Sequence, residues 1–299
     1  SASSAQAPST GSGQALSTSS GQAPAAGTAQ PAGAPAAAAQ GAPAGGGRGG
    51  RGAGGRWHWD TPIVVSPHVA RRIYVAGDRV YRSDDRGDNW VAISADLTRN
   101  LDPAEIPIMG KVWPRNSVAF NQATTQLSTI TALDESPLLA DLIYIGTFDG
   151  LVQVTEDGGK TWRKVEKLPG LPEYTAVTDV AASMRDANTV YATFNNYQRG
   201  DFKPYVYKSA DRGRTWTSIA GNLPERSGAW SIAQDHLNGD LMFAGMEFGV
   251  WFTVDGGAKW TQLKGGIPTT QARGVQMERR EGDLVGGAFG RGVYIKDDY

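Results

Sequence analysis

One eight-residue frame is spelled four times in this chain: SDDRGDNW (83–90), TEDGGKTW (155–162), SADRGRTW (209–216) and TVDGGAKW (253–260). Each copy reads hydroxyl, any, Asp, any, Gly, any, any, Trp. Four copies in 299 residues mean that the fold is a tandem array of one supersecondary unit. The side chains state the local role. Asp accepts hydrogen bonds from its own turn, Gly supplies a positive φ, and the closing Trp opens the next strand and buries a large ring between sheets. Asp85, Gly87 and Trp90, Asp157, Gly159 and Trp162, Asp211, Gly213 and Trp216, and Asp255, Gly257 and Trp260 therefore read as hairpin staples, not as calcium ligands or catalytic acids.

The surroundings complete the unit. Paired strands precede the frames in RIYVAGDRVYRS, LIYIGTFDGLVQVT and LMFAGMEFGVWFT, and a short alternating strand follows each Trp in WVAIS, WRKVE, WTSIA and WTQLK. A further strand precedes each later pair: STITALDES (128–136), TDVAASMRD (178–186), WSIAQDHLN (230–238) and RGVQMERRE (273–281). That makes four strands per repeat. The frame Asp residues lie 72, 54 and 44 apart, the shortest near the ~40–50 residues of a propeller blade and the longer ones carrying insertions. The expectation is an all-β protein, a β-propeller of four full four-stranded blades plus a partial fifth. The fifth, DLVGGAFGRGVYIKDD (283–298), lacks the frame and leaves GRGVYIK (290–296) as an unpaired edge, which predicts association with the chain itself or with a partner. Either IVVSP (63–67) closes a five-blade ring, or these blades are part of a larger ring. The strand count favours the second.

Composition sets the boundary of this array. Residues 1–56 hold one large hydrophobe, Leu16, no aromatic and no acid, whereas all nine Trp, ten Tyr and eight Phe follow. Such a segment cannot bury enough apolar surface to offset its ordering entropy, so 1–56 reads as a low-complexity tail or linker and 57–299 as the propeller. Without the tail's three Arg the remainder has 26 basic and 30 acidic residues. That balance argues against nucleic acid as a partner. The absence of Cys excludes disulfides, Cys-based zinc sites and thiol catalysis, and no apolar run approaches the length of a membrane span.

The octapeptides resemble the Asp-box, or bacterial neuraminidase repeat, of sialidases, sortilin-type receptors and two-propeller xyloglucan-cleaving enzymes. The run from RWHWDTPIVVSPH through YRSDDRGDNW, DGLVQVTEDGGKTW, GDFKPYVYKSADRGRTW, FGVWFTVDGGAKW and FGRGVYIKDDY is similar to the C-terminal blades of large bacterial sortilin-like, glycosyl-hydrolase-like repeat proteins. The resemblance implies a secreted protein, extracellular or periplasmic, and no particular activity. Two frames depart from the pattern, with Asn89 and Lys259 where Thr is usual, and these turns are expected to be looser.

Candidate chemistry is sparse. Arg115, Arg273, Arg291, Tyr174 and Glu247 are raw material for a sialidase-like site but match no motif. Asp179, Asp235 and Glu247 sit on or beside strands, where acids are more often solvated or turn-capping than catalytic. His58, His68 and His236 are too scattered for a metal set, so no metal or cofactor is expected. The insertion 96–127 offers Met109, Lys111, Trp113 and Arg115, a mixture suited to a protein or glycan contact. The alternative is a flap packed on a blade edge. With Glu247 and Arg291, the last in an FGRG turn, Lys111, Trp113 and Arg115 are the candidate binding residues. The leading expectation is a non-catalytic protein-binding or scaffold propeller, its partner another protein or the remaining blades of the same gene product, with a glycan as a further candidate ligand. The alternative is a carbohydrate-active hydrolase, sialidase-like or xyloglucanase-like, whose site is completed by blades outside this chain.

Overall fold

The structure, a computed structural model, describes residues 55–108, 110–118, 127–297 and 299. The tail up to residue 54 and Met109 lie outside the described residues. Five antiparallel sheets follow one another along the chain. The first is β1 (Ile63–Val65), β2 (Ile73–Ala76), β3 (Val80–Ser83) and β4 (Val91–Ala92). Within the insertion, β5 (Pro107–Ile108) and β6 (Lys111–Val112) pair as a small hairpin. The second sheet is β7 (Ile130–Glu135), β8 (Ile143–Thr147), β9 (Val152–Thr155) and β10 (Arg163–Val165), and the third is β11 (Ala176–Ala182), β12 (Val190–Asn196), β13 (Asp201–Ser209) and β14 (Thr217–Ser218). The fourth is β15 (Ala229–Gln234), β16 (Met242–Met246), β17 (Gly249–Thr253) and β18 (Thr261–Gln262), and the fifth has β19 (Ala272–Glu278), β20 (Asp283–Ala288) and β21 (Gly292–Lys296). The protein is an all-β propeller of five blades, the last three-stranded with β21 at its edge. Segment 63–67 does not pair with that edge: β1 pairs with β2 as the inner strand of its own blade.

The cores lie between consecutive sheets, because each blade is apolar on both faces. Tyr74, Ala76 and Val80 of the first blade meet Ile130, Leu133 and Ile143 of the second. Val152 and Val154 meet Val177, Val190 and Phe194 across the next gap. Tyr191 and Val206 meet Ile232 and Met242, and Phe243 and Val250 meet Val275 and Leu284. Where inner strands pass close, the second strand has no room for a side chain. A Cβ on Gly146 would lie 2.2 Å from Val177 Cγ1, and one on Gly245 would lie 2.4 Å from the Ala272 carbonyl. Among the described residues the outward faces of the first and last blades have no such neighbour, and Ile63, Val65, Val293 and Ile295 are exposed.

Each octapeptide ties its own turn. In the third, Ser209 donates to Asp211 Oδ1 (2.7 Å) and accepts from the Gly213 amide (2.8 Å), while the Thr215 amide and hydroxyl both donate to Asp211 (2.8 and 2.6 Å). The second repeats this through Thr155, Asp157 and Thr161, and the Thr161 hydroxyl and amide, with Thr155, hold the Asp157 carboxyl down at about 2. The expectation of a looser first turn is corrected. The Asn89 side-chain amide donates to Asp85 Oδ2 (2.6 Å), replacing the missing hydroxyl. In the fourth turn, Lys259 donates only its backbone amide to Asp255. The closing indoles reach the preceding blade: Trp260 Nε1 donates to the Ile219 carbonyl (2.8 Å), and Trp162 packs on the first blade's core. Trp90, on the first blade, is only half-buried.

Candidate functional site

The inner strands share one irregularity. Each of β7, β11, β15 and β19 carries a bulge near its N-terminal end, at Thr131, Thr178, Trp230 and Arg273. A bulge frees one residue from the ladder and re-aims its side chain. In two blades that side chain performs a structural task. The Thr131 hydroxyl donates to the Val177 carbonyl (2.6 Å) and the Thr178 hydroxyl to the Ala229 carbonyl (3.2 Å), each tying one inner strand to the next. Carboxylates strengthen the tie: Asp134 accepts from the Ala182 amide (2.8 Å) and Asp179 from the Ile232 amide (3.0 Å). Burial, with few counter-charges, pushes both carboxyls up to about 7.

The last two blades abandon this staple. Arg273 lays its guanidinium over the Trp230 ring at 4.1 Å and lies 4.8 Å from the Phe289 centroid. The turn between second and third strands lies at the same end of each blade. Its first residue donates its amide to the carbonyl just before the inner strand, from Phe148 to Thr129, from Glu247 to Gly228 and from Phe289 to Gln271. An apolar Phe in two blades becomes an acid in the fourth. Glu247 Oε2 accepts from Trp230 Nε1 (3.0 Å) and from Gln271 Nε2 (2.8 Å), and Gln271 Oε1 accepts from Arg273 Nε (2.9 Å). Three residues that break the inter-blade pattern thus form one hydrogen-bonded group at the axial mouth.

The segment before β1 crosses to the same place. Asp60 accepts from Arg273 Nη1 at 3.1 Å, a contact between residues 213 positions apart. His58 packs on Phe148 with ring centroids 5.0 Å apart, and its Nδ1 accepts from the Asp60 amide (3.0 Å). Burial lowers the His58 pKa, Asp60 opposing and Arg273 assisting, so the ring is neutral at pH 7. Its Nε2 is buried with no hydrogen-bond partner among the described residues. Arg56, which composition places in the tail, donates to the Ser128 carbonyl, Asp96 and Thr98.

Further round the mouth, the 3-10 turn Tyr197–Arg199 connects two aromatic groups. Tyr197 lies against Trp230 (5.7 Å), while Arg199 and Arg99 sit 5.3 and 5.1 Å from the Tyr174 centroid. Tyr174 holds a φ of 60°, unusual for a bulky residue, and its backbone packs on Gly150, where a Cβ would meet Tyr174 Cα at 3.0 Å.

Of the candidate binding residues, the structure brings Glu247 into this cluster and leaves the others elsewhere. Lys111 Nζ stands over Trp113 at 4.6 Å in the exposed insertion hairpin, Arg115 pairs with Asp102, and Arg291 is exposed on its turn. Asp235 is bound by Tyr299 Oη (2.7 Å) and by the Leu237 and Asn238 amides, a turn-capping role. Among the described residues no three His, Asp or Glu side chains converge as metal ligands, and no helix is long and apolar enough to cross a membrane. Trp230, Asp60 and Gln271 escape a reading of the sequence alone. The signal that finds Trp230 is the comparison of bulge positions, Thr, Thr, Trp, Arg, across successive blades, whereas Asp60 and Gln271 lie outside the strands and join through their contacts with Arg273 and Glu247.

With the geometry in place, the chain can be set beside known proteins. No family model matches it. An oligoxyloglucan-reducing end-specific xyloglucanase of Emericella nidulans is 24% identical over 168 residues, 54% of this chain and 18% of that enzyme. Among solved structures, the GH74 xyloglucanase of Xanthomonas campestris superposes with a TM-score of 0.54 at 18% identity, covering 79% of this chain and 36% of that one. An ancestral GH74 enzyme gives 0.54 at 18% identity over 78% and 28%. The Niastella koreensis GH74 enzyme gives 0.52 at 17% identity over 79% and 36%. These likenesses establish the propeller fold. The chain spans about a fifth of the curated relative and about a third of these structures.

Proposed function

We propose that this chain is the saccharide-binding portion of a larger, glycosyl-hydrolase-like extracellular propeller protein, with its octapeptides acting as Asp-boxes. The observation that carries the reading is that Trp230 and Arg273 stand where other blades have the Thr staples, and Glu247 where other blades have a turn Phe, all at one mouth. Aromatic rings beside paired hydrogen-bonding side chains are the chemistry that holds sugars. The distant similarity to xyloglucanases supports a carbohydrate ligand over a purely structural role. Hydrolysis needs two carboxyl groups about 5–9.5 Å apart across a glycosidic bond. Here Glu247 is held by Trp230 and Gln271, and Asp60 by Arg273, so a catalytic pair would be completed by blades outside this sequence.

Titrating the chain with oligosaccharides by calorimetry, together with a reducing-sugar release assay, tests this. Binding lost in Trp230→Ala, with no turnover by this chain alone, is expected. Absence of binding to any saccharide would overturn it. One observation favours the second reading, a sortilin-like protein-binding scaffold: β21 is an edge strand, with Val293 and Ile295 exposed, and such an edge invites strand addition. Self-association in sedimentation velocity, abolished by Ile295→Lys, is the outcome that reading requires.

A further inference from the structure

We infer that the axial mouth takes an acidic saccharide, one whose rings carry carboxylates, in preference to a neutral glucan. The inference rests on the carbohydrate reading above and narrows its ligand. Its first ground is that the aromatic rings here already carry guanidinium groups. Arg273 covers Trp230, which is 9% exposed, and Tyr174 has Arg99 and Arg199 close to its ring. A neutral sugar stacks on a bare aromatic face. A guanidinium held against a ring instead presents its donor edge, which fits a carboxylate through two parallel hydrogen bonds.

The second ground is charge. Arg99 donates to the carbonyls of Asp149 and Glu166, and Arg199 to the carbonyl of Glu173. Neither guanidinium hydrogen-bonds a carboxylate side chain among the described residues. Arg99 lies within electrostatic reach of the Asp149 and Glu166 carboxyls, whereas Arg199 is oriented by the Glu173 carbonyl with no carboxylate acting on it among the described residues, so its charge is the one left uncompensated. Tyr174, close to both groups and held by a strained backbone that fits against Gly150, indicates that their placement is built rather than incidental.

The third ground is Asp60. It is a carboxylate bound to Arg273 beside Trp230, and it comes from outside the blades on a side chain that is 60% exposed. It stands where a ligand carboxylate would stand, and it can leave. The turn Tyr197–Arg199 joins the two guanidinium groups through Tyr197 on Trp230 and Arg199 on Tyr174, so one acidic oligosaccharide can engage both.

The test is calorimetric titration of the full chain at low ionic strength with an oligogalacturonate, a neutral xyloglucan oligosaccharide and a poly-glutamate peptide. The oligogalacturonate should bind at least about tenfold more tightly than either of the others, with an affinity that falls as salt is raised. Arg199→Gln should weaken it by about tenfold at unchanged melting temperature, and Arg273→Gln by a similar factor when titrated well below its own melting temperature. Asp60→Asn, which removes the internal competitor, should tighten it. Equal or tighter binding of the neutral sugar, lost in Trp230→Ala but indifferent to the Arg199 change, would overturn this inference and leave the carbohydrate reading standing. Equal binding of poly-glutamate would reduce the site to a general anion patch and overturn it too. No binding of either sugar would remove both.

Discussion

Asp134 and Asp179 give the protein an unusual dependence on pH. Each is packed between neighbouring inner strands and bonded to an amide of the next blade. Desolvation pushes each carboxyl from an ordinary value near 3.8 to about 7, with Asp179 and Glu135 adding to the effect on Asp134. The folded state therefore keeps both protons over a range in which the unfolded chain has released them. For one extra bound proton in the native state, stability falls by about 1.4 kcal/mol for each pH unit gained. Two such groups contribute a slope approaching ~3 kcal/mol per unit between about pH 5 and about pH 7, flattening above, whereas below about pH 5 the carboxyls that the fold holds down, Asp157 among them, act in the opposite sense. Asp149, raised by burial despite the Thr147 hydroxyl and the Arg99 amide, acts in the same direction. Urea unfolding from pH 4 to 8 at constant ionic strength measures the slope. Asp179→Asn keeps an acceptor for the Ile232 amide while removing the titration. It should halve the slope or better, since it also relieves Asp134. A stability that rises from pH 5 to 7, or a variant with the same slope as the parent, would refute the reasoning.

Three further outcomes follow from the packing. Lys259→Thr should restore the hydroxyl missing from the fourth turn and stabilise the fold modestly, read as a higher urea midpoint at unchanged slope. Trp216→Ala, which empties a site only 5% exposed, should cost about 3–5 kcal/mol, whereas Trp90→Ala, half-buried on the first blade, should cost clearly less. Thermal melts of the two side by side make the comparison. Gly146→Ala should destabilise by about 1–3 kcal/mol or more because its Cβ has no space beside Val177, and the same melts would show it.

The blades were legible in the sequence because what defines them is local. A turn Asp, its Gly and its Trp lie within eight residues, and strand alternation surrounds them. Asn89 shows the limit of that reading, since whether an amide reaches the Asp85 carboxylate depends on a rotamer and not on the motif. The mouth was hidden for another reason. Asp60, Trp230, Glu247 and Arg273 meet only because five sheets are wound about one axis, and because single-residue bulges turn Trp230 and Arg273 out of their ladders. Glu247 and Arg273 stood out singly by residue type. Lys111, Trp113 and Arg115 looked equally suitable, and their exposed hairpin holds them apart from the cluster.

The serial arrangement of the four cores has a consequence for how the molecule comes apart. A sheet held on both faces gives up two cores when it opens, and a terminal sheet gives up one, so opening is cheapest at the ends. In this chain taken by itself, the fifth blade, three-stranded and packed on one face only, should exchange its amide hydrogens first. Protection should then climb toward the third blade, which lies between two complete neighbours. Arg273 lies on that first-opening blade and Tyr174 immediately before the third. The two halves of the mouth therefore stand on ground of unequal firmness, and fraying of β19 would release Asp60 and undo the Trp230 pairing while Arg99, Arg199 and Tyr174 stayed in place.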